Sequence, residues 1–190
     1  MLNNVVKVLM AANDLTVSDI VLANNIPKSS FYKGGSLNIE DISSIFNISD
    51  INVAILNRLD DNKYSYKQLL FEALRCYLYN FSSLNFNTEE EHMGKTIKTI
   101  RVAEDINITE ASLRSGVAIS TICKTEKGNT EFSLNNIKKY SRAFDILSSE
   151  IVRLLELEEE GYSYSELLFE VLDYYFIKHP EEKTKQKIIK

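Results

Sequence analysis

Apolar residues recur along this chain at steps of three and four, with few stretches that alternate. Between 133 and 144 the order Leu134, Ile137, Tyr140, Phe144 advances by 3, 3 and 4, which predicts one buried stripe on a helix opened by Ser133. Further on, Ile151, Leu154 and Leu155 mark a helix opened by Ser148 or Ser149 and stopped at Gly161. Leu167, Leu168, Val171, Leu172 and Phe176 mark another, which starts near Ser163 and stops before Pro180. Upstream, Ile97 and Ile100 give the apolar side of one helix and Ala111 sits on a second. A third runs from about Ile119 to Lys127, with Ile122 inward, a tight turn at Gly116 before it and Gly128 as a stop able to take positive φ. Nothing alternates long enough to demand a sheet, so the fold class is all-α.

The same series occurs earlier in the chain: Val5, Val8 and Leu9; Ile20 and Val21; Phe31; Ile39, Ile42 and Ile45; Leu69, Leu70, Ala73 and Leu74. The likeness extends to residue identity. Residues 64–74 read YSYKQLLFEAL and residues 162–172 read YSYSELLFEVL, eight of eleven positions identical at an offset of 98. Upstream the offset is 91, pairing Leu15 with Ile106, Ile26 with Val117, Ser29 with Ser120 and Lys33 with Lys124. Between those blocks the second copy carries seven more residues. Two copies of some eighty residues are a duplicated domain, since a solenoid stacks several shorter units. The expected division is 1–81, an acidic linker at 82–94 with three consecutive Glu, a second domain at 95–178, and a charged tail at 179–190 that frays.

Residues 100–128, IRVAEDINITEASLRSGVAISTICKTEKG, resemble the Cro/CI-type helix-turn-helix of phage repressors and XRE-family regulators. Ile100-Arg101, Ile106, Ser115-Gly116-Val117, Ser120-Thr121-Ile122 and Glu126-Lys127-Gly128 fall on that family's pattern without a gap. SLNNIKKYSRAFDI is similar to its fourth helix. The resemblance implies two tandem lambda-repressor-like bundles of five to six helices each, with the helix from Ile119 entering a major groove. It implies base-edge contacts from Ile119, Ser120, Thr121 and Lys124, and phosphate contacts from Arg101, Arg114, Lys127 and Asn129. The chain departs from the pattern at Ala118, where a capping Ser or Thr is usual, at Ile119, where a polar residue is usual, and at Thr125, where an apolar one is. The first copy, LTVSDIVLANNIPKSSFYKGG, is a degenerate match that loses the Glu-x-Gly ending, so its third helix is cut short. Lys28, Ser29, Ser30 and Lys33 are its weaker parallels, and Asn25 takes the turn position, where Asn tolerates the left-handed region.

Charge then separates the copies. The whole chain carries a formal −5, which on its own argues against a nucleic-acid partner. Residues 95–144, however, hold nine basic against five acidic side chains, a balance of +4, whereas residues 5–48 stand at −1. Local sign governs phosphate attraction, so the second copy is assigned to DNA and the first to a protein partner. The implied function is a cytoplasmic, sequence-specific transcriptional regulator, a repressor, acting as a homodimer on double-stranded DNA. The alternative is a protein-binding module, an antirepressor or inhibitor of a host protein, that keeps the fold without operator binding. Tyr77, Tyr79, Tyr174 and Tyr175 exceed what one helix face can bury and are expected at a self-association surface.

Other chemistry is sparse. Cys76 and Cys123 are far apart with no CxxC, and His92 and His179 have no ligand or base at useful spacing, so no metal, cofactor or enzymatic role is expected. No apolar run approaches the roughly 20 residues that span a bilayer, and MLNNVVKVLM lacks a signal core, so no membrane partner is expected either.

Overall fold

The computed structural model describes residues 3–32, 35, 37–80, 94–129 and 133–184. The chain divides into two compact units, Met1–Leu84 and Asn85–Lys190. Among the described residues the structure is helical, with no strand. Unit 1 contains α1 (Asn4–Ala12), α2 (Val17–Asn24), a 3-10 turn (Lys28–Phe31), α3 (Ile39–Phe46), α4 (Asp50–Asp61) and α5 (Tyr66–Asn80). Unit 2 contains α6 (Lys95–Ala103), α7 (Ile108–Ser115), α8 (Ile119–Glu126), α9 (Leu134–Phe144), α10 (Ser148–Glu159), α11 (Tyr164–Lys178) and α12 (Pro180–Thr184). The linker 82–93, including His92, lies outside the described residues, as do Lys33 and the tail from 185.

Helix starts follow local capping chemistry. Thr16 and Asp19 form a reciprocal capping box at α2, with the Thr16 N–H donating to Asp19 Oδ2 at 2.7 Å. Asn38 and Asp41 repeat it at α3. Ser65 with Gln68 opens α5, and Ser163 with Glu166 opens α11, the same Ser-x-x-Gln/Glu device at both ends of the 98-residue offset.

The turns repeat as well. Asp14, Asn25, Asn47 and Lys63 have φ between 51° and 60°, and their counterparts Asp105, Gly116, Asp145 and Gly161 also have positive φ. The first two pairs are separated by 91 residues and the last two by 98. Backbone conformation is thus shared at all four pairs, although residue identity is shared only by Asp14 and Asp105. At Lys63 a side chain sits where its counterpart is Gly161, at a steric cost of about 1–2 kcal/mol.

The seven added residues of unit 2 fall in two places. Four lie between the third element and the cap of the fourth helix, where the four-residue 3-10 turn of unit 1 corresponds to the eight-residue α8. Three lie in the fourth helix itself, eight residues in α3 and eleven in α9. Each addition is close to one helical turn. The shortened third helix expected for the first copy is this 3-10 turn.

In unit 1, α1 packs on α5 and α4, burying Val5, Val8, Leu9, Ile20, Phe31, Leu56, Leu69, Leu70 and Leu74. In unit 2, α6 packs on α11, α8 and α10, around Ile97, Ile100, Ile122, Tyr140, Leu154, Leu168, Leu172 and Phe176. Several expected core positions are displaced. Leu134 is 75% exposed because it is the first residue of α9, in the added turn. Leu157 fills the core of α10 while Leu155 is half-buried, and Phe46 does the same for Ile45 in α3. Ile39, expected inward, is exposed at the start of α3. The segment after Pro180 does not fray at once: Pro180 begins α12, consistent with its pre-set φ at a first helical position.

Where the chain enters unit 2, Glu158 of α10 holds the start of α6. Its carboxylate accepts from the Lys95 N–H at 2.7 Å, the Thr96 N–H at 2.9 Å and the Thr96 hydroxyl at 2.7 Å, taking up donors that no preceding turn can satisfy. Asp60, its counterpart in unit 1, accepts from Asn4 Nδ2 at 2.8 Å. Beside this anchor Gly94 lies against the last turn of α8. A Cβ there would stand 2.6 Å from the Glu126 carbonyl and no farther from the Thr125 carbonyl oxygen. Gly94→Ala is therefore expected to destabilise unit 2 by about 2 kcal/mol through overpacking against backbone that cannot yield. Denaturant unfolding checks this, and an unchanged midpoint would contradict the close approach.

Candidate nucleic-acid interface

The site is built from α7, the turn at Gly116 and α8. Asn107 caps α7 by accepting from the Glu110 N–H at 2.9 Å. The Ser112 hydroxyl donates to the Val117 carbonyl at 2.7 Å, and the Ser115 hydroxyl donates to the Ala111 carbonyl at 2.6 Å while accepting from the Val117 N–H. With Gly116 at φ 65° and Val117 buried, the angle between the two helices is braced by side chains on both strands of the turn.

Ala118 occupies the cap position of α8 without a side-chain hydrogen bond, as the sequence implies. The N–H groups of Ile119 and Ser120 make no hydrogen bond among the described residues, so this helix end presents open donors and the positive end of its dipole. Ile122 and Thr125 turn inward, leaving Ser120, Lys124 and Lys127 exposed, Thr121 half-buried and Ile119 46% exposed. At the far end the Gly128 N–H donates to Thr125 and the Asn129 N–H to Lys124, with Gly128 at φ 71°, and Asn129 is exposed.

Six of the eight residues assigned to DNA thus face solvent at least in part on α8 and the turn after it. The other two are arginines in ion pairs. Arg114, on α7, is exposed and shares its guanidinium with Glu110 at 2.9 Å and Glu104 at 4.0 Å. Arg101 is different. Its Nε and Nη2 donate to the two carboxylate oxygens of Glu126 at 2.6 and 2.9 Å, its Nη1 donates to the Ile106 carbonyl at 3.1 Å, and the two side chains are 14% and 9% exposed. Arg101 pins the last turn of α8 to α6 and has its charge compensated inside the unit.

By contrast, Lys124, Lys127, Lys138, Lys139 and Arg142 form no ion pair among the described residues. Lys138 and Arg142 are exposed and stand four apart on α9, which packs on α7. In the sequence they contribute to the +4 balance of residues 95–144. Their position on the helix next to α7 adds two cations to the site's surroundings.

The first-copy parallels do not assemble an equivalent surface. Lys28 and Ser29 are exposed, but Ser30 is buried and Lys33 lies outside the described residues. Of the four tyrosines, Tyr77 and Tyr79 belong to unit 1 and Tyr174 and Tyr175 to unit 2. Tyr77 is in the core, donating its hydroxyl to the Phe46 carbonyl at 3.2 Å, which corrects its assignment to a self-association surface. Tyr174 and Tyr175 are half-buried, and Tyr175 bonds Glu182 at 3.1 Å, while the side chain of Tyr79 lies outside the described residues. Cys76 and Cys123 are free thiols, one in each unit.

Behind α8 sits Tyr140, fully buried, whose phenol oxygen has no hydrogen-bond partner of good geometry among the described residues. Burial pushes its titration up to about 12, with the Thr125 side chain opposing that shift and Glu126 reinforcing it. Because the folded value lies above the unfolded value near 10, the contribution to stability is complete below pH 10 and is lost as pH rises toward 12. Tyr140→Phe is expected to leave stability near neutral pH unchanged or up to about 1 kcal/mol higher, since an unpaired buried hydroxyl is removed without changing shape. Its alkaline unfolding should also be shallower, and a loss above 1 kcal/mol at pH 7 would show that the hydroxyl is bonded after all.

Compared with protein-family models, with curated proteins and with solved structures, the chain matches none.

Proposed function

We propose that the chain is a sequence-specific double-stranded-DNA-binding transcriptional regulator, a repressor, in which α8 is the recognition helix. The observation that carries this reading is the solvent-facing ridge of α8: open backbone donors at its start, Ser120, Thr121 and Lys124 along it, and Lys124 and Lys127 without ion-pair partners among the described residues. Hydroxyls and a lysine can address base edges, while Lys127 and Asn129 suit phosphates at the helix end. The lambda-repressor-like arrangement of tandem copies belongs to the same proposal, supported by the matching turns and caps of the two units. Two recognition helices roughly 34 Å apart, one turn of DNA, then require a homodimer.

The protein-binding alternative is favoured for unit 1 by one observation, the 3-10 turn where unit 2 has a helix of eight residues. Four residues cannot present a ridge to a groove, so a protein partner suits that unit better. Titration of the full chain against duplex DNA from its own upstream region, at low and moderate salt, tests the leading reading. Binding that weakens steeply with salt is expected, and no binding at low salt would overturn it.

A further inference from the structure

Helix α4 of unit 1 exposes an apolar stripe that its counterpart does not. Ile51 is 71% and Ile55 45% exposed, and Ala54 between them is exposed too. At 98 residues' distance the same positions on α10 are Ser149, Val152 and Arg153, and Arg153 is tied to Glu156 and Glu160. The apolar stripe is therefore particular to the unit with the shortened third element.

The charges around the stripe identify its occupant. Asp50 lies four residues before Ala54 and Arg58 four residues after it, both exposed and without an ion pair among the described residues. At 100° per residue Asp50, Ile51, Ala54, Ile55 and Arg58 fall within one arc of about 140°. Two such helices, laid antiparallel about a twofold axis through Ala54, bring Asp50 of each opposite Arg58 of the other, about 6 Å along the helix on either side of the centre. The small Ala54 side chains let the helices approach, and Ile51 and Ile55 from both copies meet around the axis. An arrangement in which residue i faces residue 108 − i is self-complementary only when acid and base stand symmetrically about the centre, as they do here.

We infer that the exposed face of α4 is a homodimer surface, occupied by the α4 of a second copy of this chain through reciprocal Asp50–Arg58 pairs and an Ile51/Ile55 core. This deepens the homodimer of the proposed regulator by giving it a surface. It is tested without DNA, so its failure and that of the DNA reading are distinguishable. A single helix pair is small beside a standard interface of about 1,600 Å², so the association is a weak one, in the micromolar range.

Sedimentation equilibrium of the full chain decides it, using wild type, Asp50→Arg, Arg58→Asp and an equimolar mixture of the two variants. Each variant alone places like charges opposite each other twice and is expected to weaken dimerisation about tenfold or more. The mixture places opposite charges at both contacts and is expected to form heterodimers at least as tight as wild type. Circular dichroism of each variant verifies that it is folded, and Ile51→Glu, which leaves the charges in place, should abolish the dimer. A chain that stays monomeric to several hundred micromolar would overturn the inference. So would a dimer indifferent to both single variants, or variants that fail to recover on mixing.

Discussion

A chain carrying Lys124→Glu and Lys127→Glu is expected to lose duplex-DNA affinity by about a hundredfold or more while its unfolding midpoint stays where it was. The two halves of that expectation come from the same geometry. Both side chains are exposed and form no ion pair among the described residues, so reversing them breaks nothing within unit 2. Surface changes of this kind usually stay within about 0.5 kcal/mol. On the proposed reading, each reversal replaces an attractive contact with a repulsive one at the helix nearest the duplex. The single substitutions should behave differently. With Lys127 at a phosphate, as proposed, Lys127→Ala weakens all sequences alike and lowers the salt slope by about one. With Lys124 at a base edge, as proposed, Lys124→Ala costs about 1–3 kcal/mol and relaxes preference at one base pair. Polarisation titrations against specific and scrambled duplexes at several salt concentrations separate these outcomes. Equal behaviour of the two variants would show that α8 does not lie in the groove as proposed, and retention of binding by the double variant would remove α8 from the interface altogether.

Much of this architecture can be read from local chemistry. Caps at Asn107, Ser133 and Ser163 and turns at Gly116, Gly128 and Gly161 are decided within four or five residues, which is why helix ends lay close to where spacing placed them. What escaped was set by partners distant in sequence. Whether Leu134 is buried depends on how far α9 extends beyond its neighbours, and nothing within its own helix reports that. Tyr77 has the composition of an interface residue, but the Phe46 carbonyl, 31 positions away, gives its hydroxyl a partner inside the core. The tight approach of Gly94 to α8 leaves no local trace beyond the glycine itself. In charge counting, Arg101 and Lys124 are equivalent. In the folded unit one is compensated and the other is not. The sum of +4 could not say which cations were available, because pairing is a tertiary property.

That difference makes Arg101 the position at which stability and recognition part. Arg101→Met leaves the Glu126 carboxylate 9% exposed with its bidentate partner gone, and breaking one side of a buried pair costs about 3–5 kcal/mol. Unit 2 should unfold at markedly lower denaturant concentration. Arg101→Met combined with Glu126→Met should recover to within about 1 kcal/mol of the starting stability, because the uncompensated charge goes with the second substitution and methionine fills comparable volume. Were Arg101 a phosphate contact, as the family resemblance implies, the opposite pattern would hold: unfolding unchanged, salt slope reduced by about one, and no rescue by the change at Glu126. A single denaturation series on the four chains separates the two roles. The double variant carries the sharper consequence for function. If the pair serves only to seat the last turn of α8 on α6, restoring that seat with apolar side chains restores DNA affinity although the guanidinium is gone, the net charge of the unit being unchanged. Loss of affinity in a chain of recovered stability would instead return Arg101 to the interface.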